Sequence, residues 1–65
     1  MNQQVTEDDL LTTADAARVL DVTPGTLEVW RATKRYPLPY VKIGRSVKYR
    51  RSDLIAFIQS RTVAA

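Results

Sequence analysis

The sequence contains neither cysteine nor histidine, and their absence argues against several classes of function. Without cysteine the chain has no disulfide and no thiolate metal ligand, and without histidine it lacks the commonest metal ligand and general base. A chain of 65 residues is also too small for a deep substrate pocket, because such a domain buries only about 60% of the surface that its unfolded chain exposes. We therefore expect no enzymatic activity, no catalytic residue, no cofactor and no bound metal.

Long apolar runs are absent as well. No stretch approaches the ~20 apolar residues of a membrane span, and the N-terminus does not combine a basic start with an apolar core and a cleavage site, as a secretion signal does. With only two glycines, the chain has no glycine-rich loop that could hold a nucleotide phosphate. We therefore expect a cytoplasmic protein with no membrane partner.

Positive charge, by contrast, is concentrated in one block. Residues 1–30 contain six acidic residues and one cation, whereas residues 31–51 contain eight cations and no acid. The alternative to a binding surface is an ordinary solvated face, but such a face usually mixes the two signs of charge. A one-sided block is typical of nucleic-acid-binding proteins, and the pattern favours that interpretation.

The first nine residues, MNQQVTEDD, have the composition of a disordered acidic tail. Neighbouring carboxylates can serve acid–base chemistry or bind a cation, but a mobile segment does not give the positioning that catalysis needs. We expect a folded DNA-binding domain over residues 10–61 and a flexible C-terminus over residues 62–65.

Two helix start signals follow one another closely. Thr12 and Asp15 form a variant of the capping box, which predicts a first helix over residues 13–20. Thr23 is a second N-cap, and Pro24 stands at the first helical position, where its missing N–H costs nothing. The second helix must end before the proline pair that follows it. Two helices, of about 8 and 12 residues, joined by a tight turn form a helix-turn-helix.

The segment VKIGRSVKYR predicts a β-hairpin, because apolar residues alternate with cations on both sides of a turn over residues 44–46. Gly44 supplies the positive φ that such a turn uses. The alternation predicts an apolar face that carries Val41, Ile43, Val47 and Tyr49. It predicts an opposite, cationic face that carries Lys42, Lys48 and Arg50.

A third helix follows the hairpin. Ser52 is its predicted N-cap, Asp53 suits the positive end of the helix dipole, and Leu54, Phe57 and Ile58 form an apolar stripe. The sequence therefore predicts a mainly α-helical winged helix-turn-helix with three short helices and a small, two-stranded β-hairpin as its wing.

In a helix-turn-helix the second helix enters the major groove of double-stranded DNA. Its N-terminal turn meets base edges or the nearest phosphate, its later cations reach phosphate or guanine, and the wing tip contacts the flanking backbone. We predict that the following residues bind DNA: Thr23, Gly25, Thr26, Glu28, Arg31, Lys34, Arg35, Lys42, Arg45, Ser46, Lys48 and Arg50.

Some charged side chains have two interpretations. Glu28 either accepts a hydrogen bond from a cytosine amino group or forms a local ion pair with Arg31 or Arg35. Arg18, which stands among acids, is expected to pair with an aspartate three residues away, either Asp15 or Asp21.

Aromatic side chains can serve the core or the ligand. Trp30 lies three residues after Leu27 and is assigned to the core rather than to base stacking, as is Tyr49. The hydroxyls of Tyr36 and Tyr40 are left as candidate phosphate contacts.

Two runs carry a family resemblance: LLTTADAARVLDVTPGTLEVWR, and then LPYVKIGRSVKYRRSDLIAFI. They resemble the excisionase and AlpA-type group of small phage and plasmid DNA-binding proteins, in the MerR-like winged-helix class. The resemblance covers Leu10 to about Ile58. It implies a recombination directionality factor that binds and bends DNA at an attachment site, or alternatively a small transcriptional regulator.

The resemblance also implies roles for particular residues. It places Thr26, Glu28 and Arg31 on the recognition helix and Gly44 and Arg45 at the wing tip. Glu28 departs from the family pattern, in which a basic or neutral polar residue is common.

Three kinds of partner follow. Double-stranded DNA is the first, and it would hold the protein at the nucleoid. The second is another copy bound cooperatively beside it, because one small interface binds DNA weakly. The third belongs to a different hypothesis, an interaction module whose third helix, with Ile55 off its main stripe, docks an integrase or another copy.

Overall fold

A computed structural model describes residues 9–64 of the chain. Its elements, in chain order, are β1 (Leu10–Thr12), α1 (Thr13–Leu20), α2 (Pro24–Thr33), β2 (Val41–Ile43), β3 (Ser46–Arg50) and α3 (Arg51–Ser60). This architecture confirms the predicted winged helix-turn-helix and the bounds of α1, while α2 is 10 residues long rather than about 12. Most of the predicted acidic tail, residues 1–8, and Ala65 lie outside the described residues.

Threonine side chains cap the first two helices, as predicted. Thr12 Oγ1 accepts a hydrogen bond from the Asp15 N–H at 3.0 Å, and Thr23 Oγ1 accepts one from the Thr26 N–H at 3.1 Å. Each bond satisfies one of the amide groups that the first turn of a helix leaves without a partner. The two caps therefore fix where α1 and α2 begin.

The N-cap predicted for α3 is wrong. The helix begins at Arg51, so that Arg50 holds the N-cap position without a side-chain cap bond, and Ser52 lies inside the first turn. The Arg51 N–H instead donates to the carbonyl of Asp9 at 3.0 Å. Because β3 runs directly into α3, this bond continues the pairing of β1 with β3 and satisfies the N–H of the first helical residue.

The sheet has three antiparallel strands in the order β1-β3-β2, so β3 is central. The sequence did not predict β1, since its three residues, LLT, are too few to show an alternating pattern. Leu11 of β1 lies opposite Tyr49 of β3 and closes the sheet over the core.

The register of the β2–β3 hairpin contradicts the predicted separation into one apolar and one cationic face. Ile43 pairs with Ser46, so the turn has two residues rather than three, and Ser46 belongs to β3. Directly paired residues share a face of a sheet. The face away from the core therefore carries Val41 and Ile43 beside Lys48 and Ser46, whereas Lys42 lies beside Val47 on the inner face.

The core is built from small and large side chains of four elements. Its buried residues are Ala16 and Ala17 of α1, Leu27 of α2, Tyr49 of β3 and Leu54 of α3. The two alanines allow α2 and α3 to approach α1 closely. Tyr49 is thus confirmed as a core residue; Trp30 is half-buried at the edge of the core.

The predicted stripe of α3 is only partly buried. Leu54 is fully buried and Phe57 half-buried, but Ile58 remains 42% exposed. No helix within residues 9–64 is long and apolar enough to span a bilayer.

Candidate nucleic-acid interface

The first turn of α2 presents an exposed surface, at the centre of which Gly25 has no side chain. Thr23, Pro24 and Gly25 are exposed, and the hydroxyls of Thr23 and Thr26 lie 2.9 Å apart in a hydrogen bond. A Cβ added at Gly25 would meet only Thr23 Oγ1, at 3.9 Å, so the fold itself does not require glycine there. The absence of a side chain leaves room for a ligand against the helix backbone.

Two faces of α2 have different characters. Leu27, Arg31 and Lys34 share one face by their i, i+4, i+7 spacing, and Leu27 is buried against the core. The opposite face, which we call the outward face of α2, carries the exposed residues Gly25, Val29 and Ala32 at the same spacing. The predicted contact Glu28 is exposed beside that face.

Glu28 forms no ion pair with Arg31 or Arg35 in the part of the chain that the structure describes. Both arginines have other neighbours: the Arg35 guanidinium carbon lies 5.2 Å from the centre of the Tyr36 ring, and Arg31 turns toward β3. The local ion pair is therefore not formed, and base recognition by Glu28 stays a prediction.

Arg31 joins α2 to the central strand. Its Nη1 donates to the hydroxyl of Tyr49 at 3.0 Å, and its guanidinium carbon lies 5.7 Å from the centre of the Tyr40 ring. Tyr49 is only 1% exposed, so its hydroxyl is a fixed acceptor at the edge of the core. Arg31, one of the predicted DNA contacts on α2, therefore lies on the half-buried side of the helix.

Lys34 ends α2 in a left-handed backbone conformation, with φ 54° and ψ 40°, and its side chain is exposed. The residues after it, up to Tyr40, form a connector that borders an open groove of about 540 Å³. The groove is lined by Trp30, Arg31, Lys34, Tyr36, Pro37, Leu38, Pro39 and Tyr40. It contains two cations, two tyrosines and no acid, a composition suited to an anionic strand.

An aromatic cluster forms part of the groove lining and extends to Phe57 of α3. The ring centre of Tyr36 lies 4.8 Å from that of Trp30 and 5.7 Å from that of Phe57. The Arg61 guanidinium carbon lies 5.0 Å from the Tyr36 ring centre, and Arg35 also contacts that ring. The Trp30 ring is therefore packed against other aromatic rings of the protein, in agreement with its assignment to the core.

The wing presents its cations on different surfaces. Arg45 is exposed in the turn beside Gly44, whose φ is +59°. Lys48 and Arg50 lie on the outer face of the sheet, and Arg50 approaches Asp53 at 3.9 Å. Lys42 lies on the opposite face, so the structure does not bring all the predicted wing contacts onto one surface.

Outside the basic block, Arg18 pairs with Asp15 at 3.0 Å, which confirms one of its two predicted partners. Sequence reasoning missed the contact between Tyr49 and Arg31, which are 18 residues apart. No local pattern indicates such a contact. Val29, which is exposed four residues after Gly25 on the outward face of α2, is not among the contacts that the sequence predicts.

A family model described as a helix-turn-helix domain matches residues 10–62. Neither the search of curated proteins nor the search of solved structures found a match. The matched region contains both helices of the helix-turn-helix, the wing and α3, and it supports a role in DNA binding.

Proposed function

Because the chain belongs to the helix-turn-helix domain family, we propose that it binds a specific double-stranded DNA site as an excisionase, a recombination directionality factor that bends DNA at an attachment site. The single observation that carries DNA binding is the exposed, threonine-capped first turn of α2, a helix whose other end borders a groove lined by two cations. A nucleoid location follows from this proposal.

The geometry of α2 suits a major groove. The major groove of DNA is about 12 Å wide and admits one α-helix. The outward face of α2 is free of bulky cations that would hold the helix away from the bases. Amide groups of the first turn attract a phosphate, since the positive end of the helix dipole lies there. We assign base recognition to this helix.

The cations around α2 serve the DNA backbone. Lys34 and Arg35 follow the C-terminal end of α2, and Arg45 lies at the tip of the wing. All three side chains are exposed. Contacts of this kind position a protein on DNA without reading the sequence. An excisionase has to bend DNA. Arg45 at the wing tip gives the protein a second point of attachment to the DNA, separate from α2.

A salt titration tests DNA binding. If six phosphates are neutralised, the logarithm of the affinity should fall with the logarithm of the salt concentration at a slope of about −5. The titration uses a duplex selected from random DNA and, as a matched control, a scrambled duplex of the same composition. A response that is flat with salt, or equal affinity for both duplexes, would overturn the proposal.

Excision and transcriptional regulation are separated by two further measurements. Gel mobility of permuted fragments reports the bend angle, and an in vitro reaction with the integrase of the same element reports excision. An excisionase should bend the site and raise the yield of excision. A protein that binds without either effect, and instead changes transcription from an adjacent promoter, is a regulator.

A second candidate function is an interaction module that uses α3. The observation in its favour is that Ile55 and Ile58 of α3 are 48% and 42% exposed. Reversing the charge of Lys34 and Arg45 should abolish DNA binding but leave an integrase or another copy bound through α3. Ile55→Asp should do the reverse. If both variants lose both activities, the two surfaces are not separate and this candidate fails.

A further inference from the structure

The outward face of α2 has an exposed valine at its centre. Val29 is 57% exposed, and among the large apolar residues of residues 9–64 only Val63, close to the C-terminus, is more exposed. Gly25 and Ala32 lie one turn before it and about one turn after it, so small residues flank it along the axis. Valine is therefore the side chain that protrudes furthest from this face.

The threonine hydroxyls near Val29 are hydrogen-bonded within the helix, and the exposed Glu28 beside it offers only an acceptor. The Thr33 hydroxyl donates to the Val29 carbonyl at 2.8 Å, and the Thr26 hydroxyl is hydrogen-bonded to that of Thr23 at 2.9 Å. Arg31 is turned toward Tyr49 on the opposite side of the helix. A base edge that meets the centre of the outward face therefore meets an apolar surface before it meets a donor.

The major groove contains one apolar group that such a surface can recognise, the C5-methyl group of thymine. We infer that Val29 is a specificity-determining residue that packs against a thymine methyl group, with Gly25 and Ala32 letting the helix backbone come close enough for the contact. The inference rests on the proposed function, because it names what the recognition helix reads. The inference predicts that the DNA site contains at least one A·T pair, which lies opposite the centre of α2.

The test replaces thymine by deoxyuridine, which removes the methyl group and leaves base pairing unchanged. In the selected site each thymine is replaced singly, and the affinity of the full-length protein is measured for each duplex. Burial of one methyl group corresponds to about a fourfold change in affinity. The wild type should lose about fourfold at one or two positions, and Val29→Ala should lose nothing further at those positions.

Val19→Ala is the matched control, because Val19 is also an exposed valine, 43% exposed, but lies on α1. It should keep the wild-type preference for thymine over deoxyuridine. Val29→Thr, which keeps the branched shape, should keep part of that preference and shows that the helix tolerates replacement at this position.

Each outcome decides a different point. If deoxyuridine is neutral at every position, or costs the same in Val29→Ala, the inference is overturned while specific DNA binding stands. If Val29→Ala keeps the thymine preference but loses cooperative binding of adjacent copies, Val29 is a protein contact and the inference is again overturned. If no DNA site can be selected with the wild type, the proposed function itself fails.

Discussion

Asp21 and Lys34 end the two helices of the helix-turn-helix in nearly the same left-handed conformation, with φ and ψ of 60° and 43° for Asp21 and of 54° and 40° for Lys34. This conformation is common for glycine, tolerated by aspartate and costly for lysine. The backbone strain is therefore larger at Lys34 than at Asp21. The Lys34 side chain lines the groove beside the connector that follows α2.

Lys34→Gly should raise the free energy of unfolding by about 0.5–1 kcal/mol, because relief of the strained φ exceeds the entropy that glycine adds to the unfolded chain. The same change should weaken DNA binding and reduce the steepness of the salt dependence by about 0.9, the value for one phosphate contact. Chemical denaturation and salt titration measure the two effects. Asp21→Gly is the control, and should leave the salt slope unchanged. A Lys34→Gly variant that binds as well as the wild type would show that this lysine does not contact DNA.

Gly25→Ala should separate stability from binding in the same helix. Alanine stabilises a helix by up to about 1 kcal/mol relative to glycine, and its Cβ meets only ordinary contact with Thr23. We expect a higher melting temperature together with weaker binding to the selected duplex, because in the proposed complex the added methyl group stands where the bases approach. Unchanged affinity would mean that DNA does not contact the first turn of α2 at this residue.

The two threonine caps form a natural pair for comparison. Thr12→Ala and Thr23→Ala should each lower the free energy of unfolding by about 1 kcal/mol, because each removes a hydrogen bond to a helix amide. Only Thr23→Ala should also weaken DNA binding, since α2 and not α1 is the proposed recognition helix. Thr23→Ser should restore both properties. Equal loss of binding in the two alanine variants would attribute the effect to stability alone.

Arg45 and Arg18 provide a matched pair of exposed arginines. Arg45→Ala should weaken binding to all duplexes by a similar factor and reduce the salt slope by about 0.9, as loss of one phosphate contact does. Arg18→Ala should change neither, because Arg18 pairs with Asp15 on α1, away from the basic block. Fluorescence anisotropy at several salt concentrations measures both variants. A loss restricted to one base pair in Arg45→Ala would instead make the wing a base reader.

Local signals predicted most of the secondary structure. The caps at Thr12 and Thr23 and the proline at the first position of α2 act through bonds within a few residues, so the sequence alone locates them. The same reasoning misplaces the start of α3: Ser52 has the chemistry of a cap, but β3 runs directly into α3, and the Arg51 N–H at this junction is bonded to the Asp9 carbonyl from the other end of the chain.

The faces of the wing show where alternation fails. Val41, Ile43, Val47 and Tyr49 alternate correctly within each strand, yet a two-residue turn pairs Val41 with Lys48 and so places the two strands' apolar residues on opposite faces. Only the length of the turn decides this, because shifting the register by one residue exchanges the faces.

Periodicity, caps and charge are properties of short segments, so the sequence is enough to predict the helix-turn-helix, the wing hairpin and the basic block. That Arg31 is held by Tyr49, while Val29 is exposed on the other side of the same helix, becomes visible only in the folded protein. Which face of α2 is turned outward depends on how the helix packs against α1 and the sheet, and that packing is a sum of contacts between residues distant in sequence.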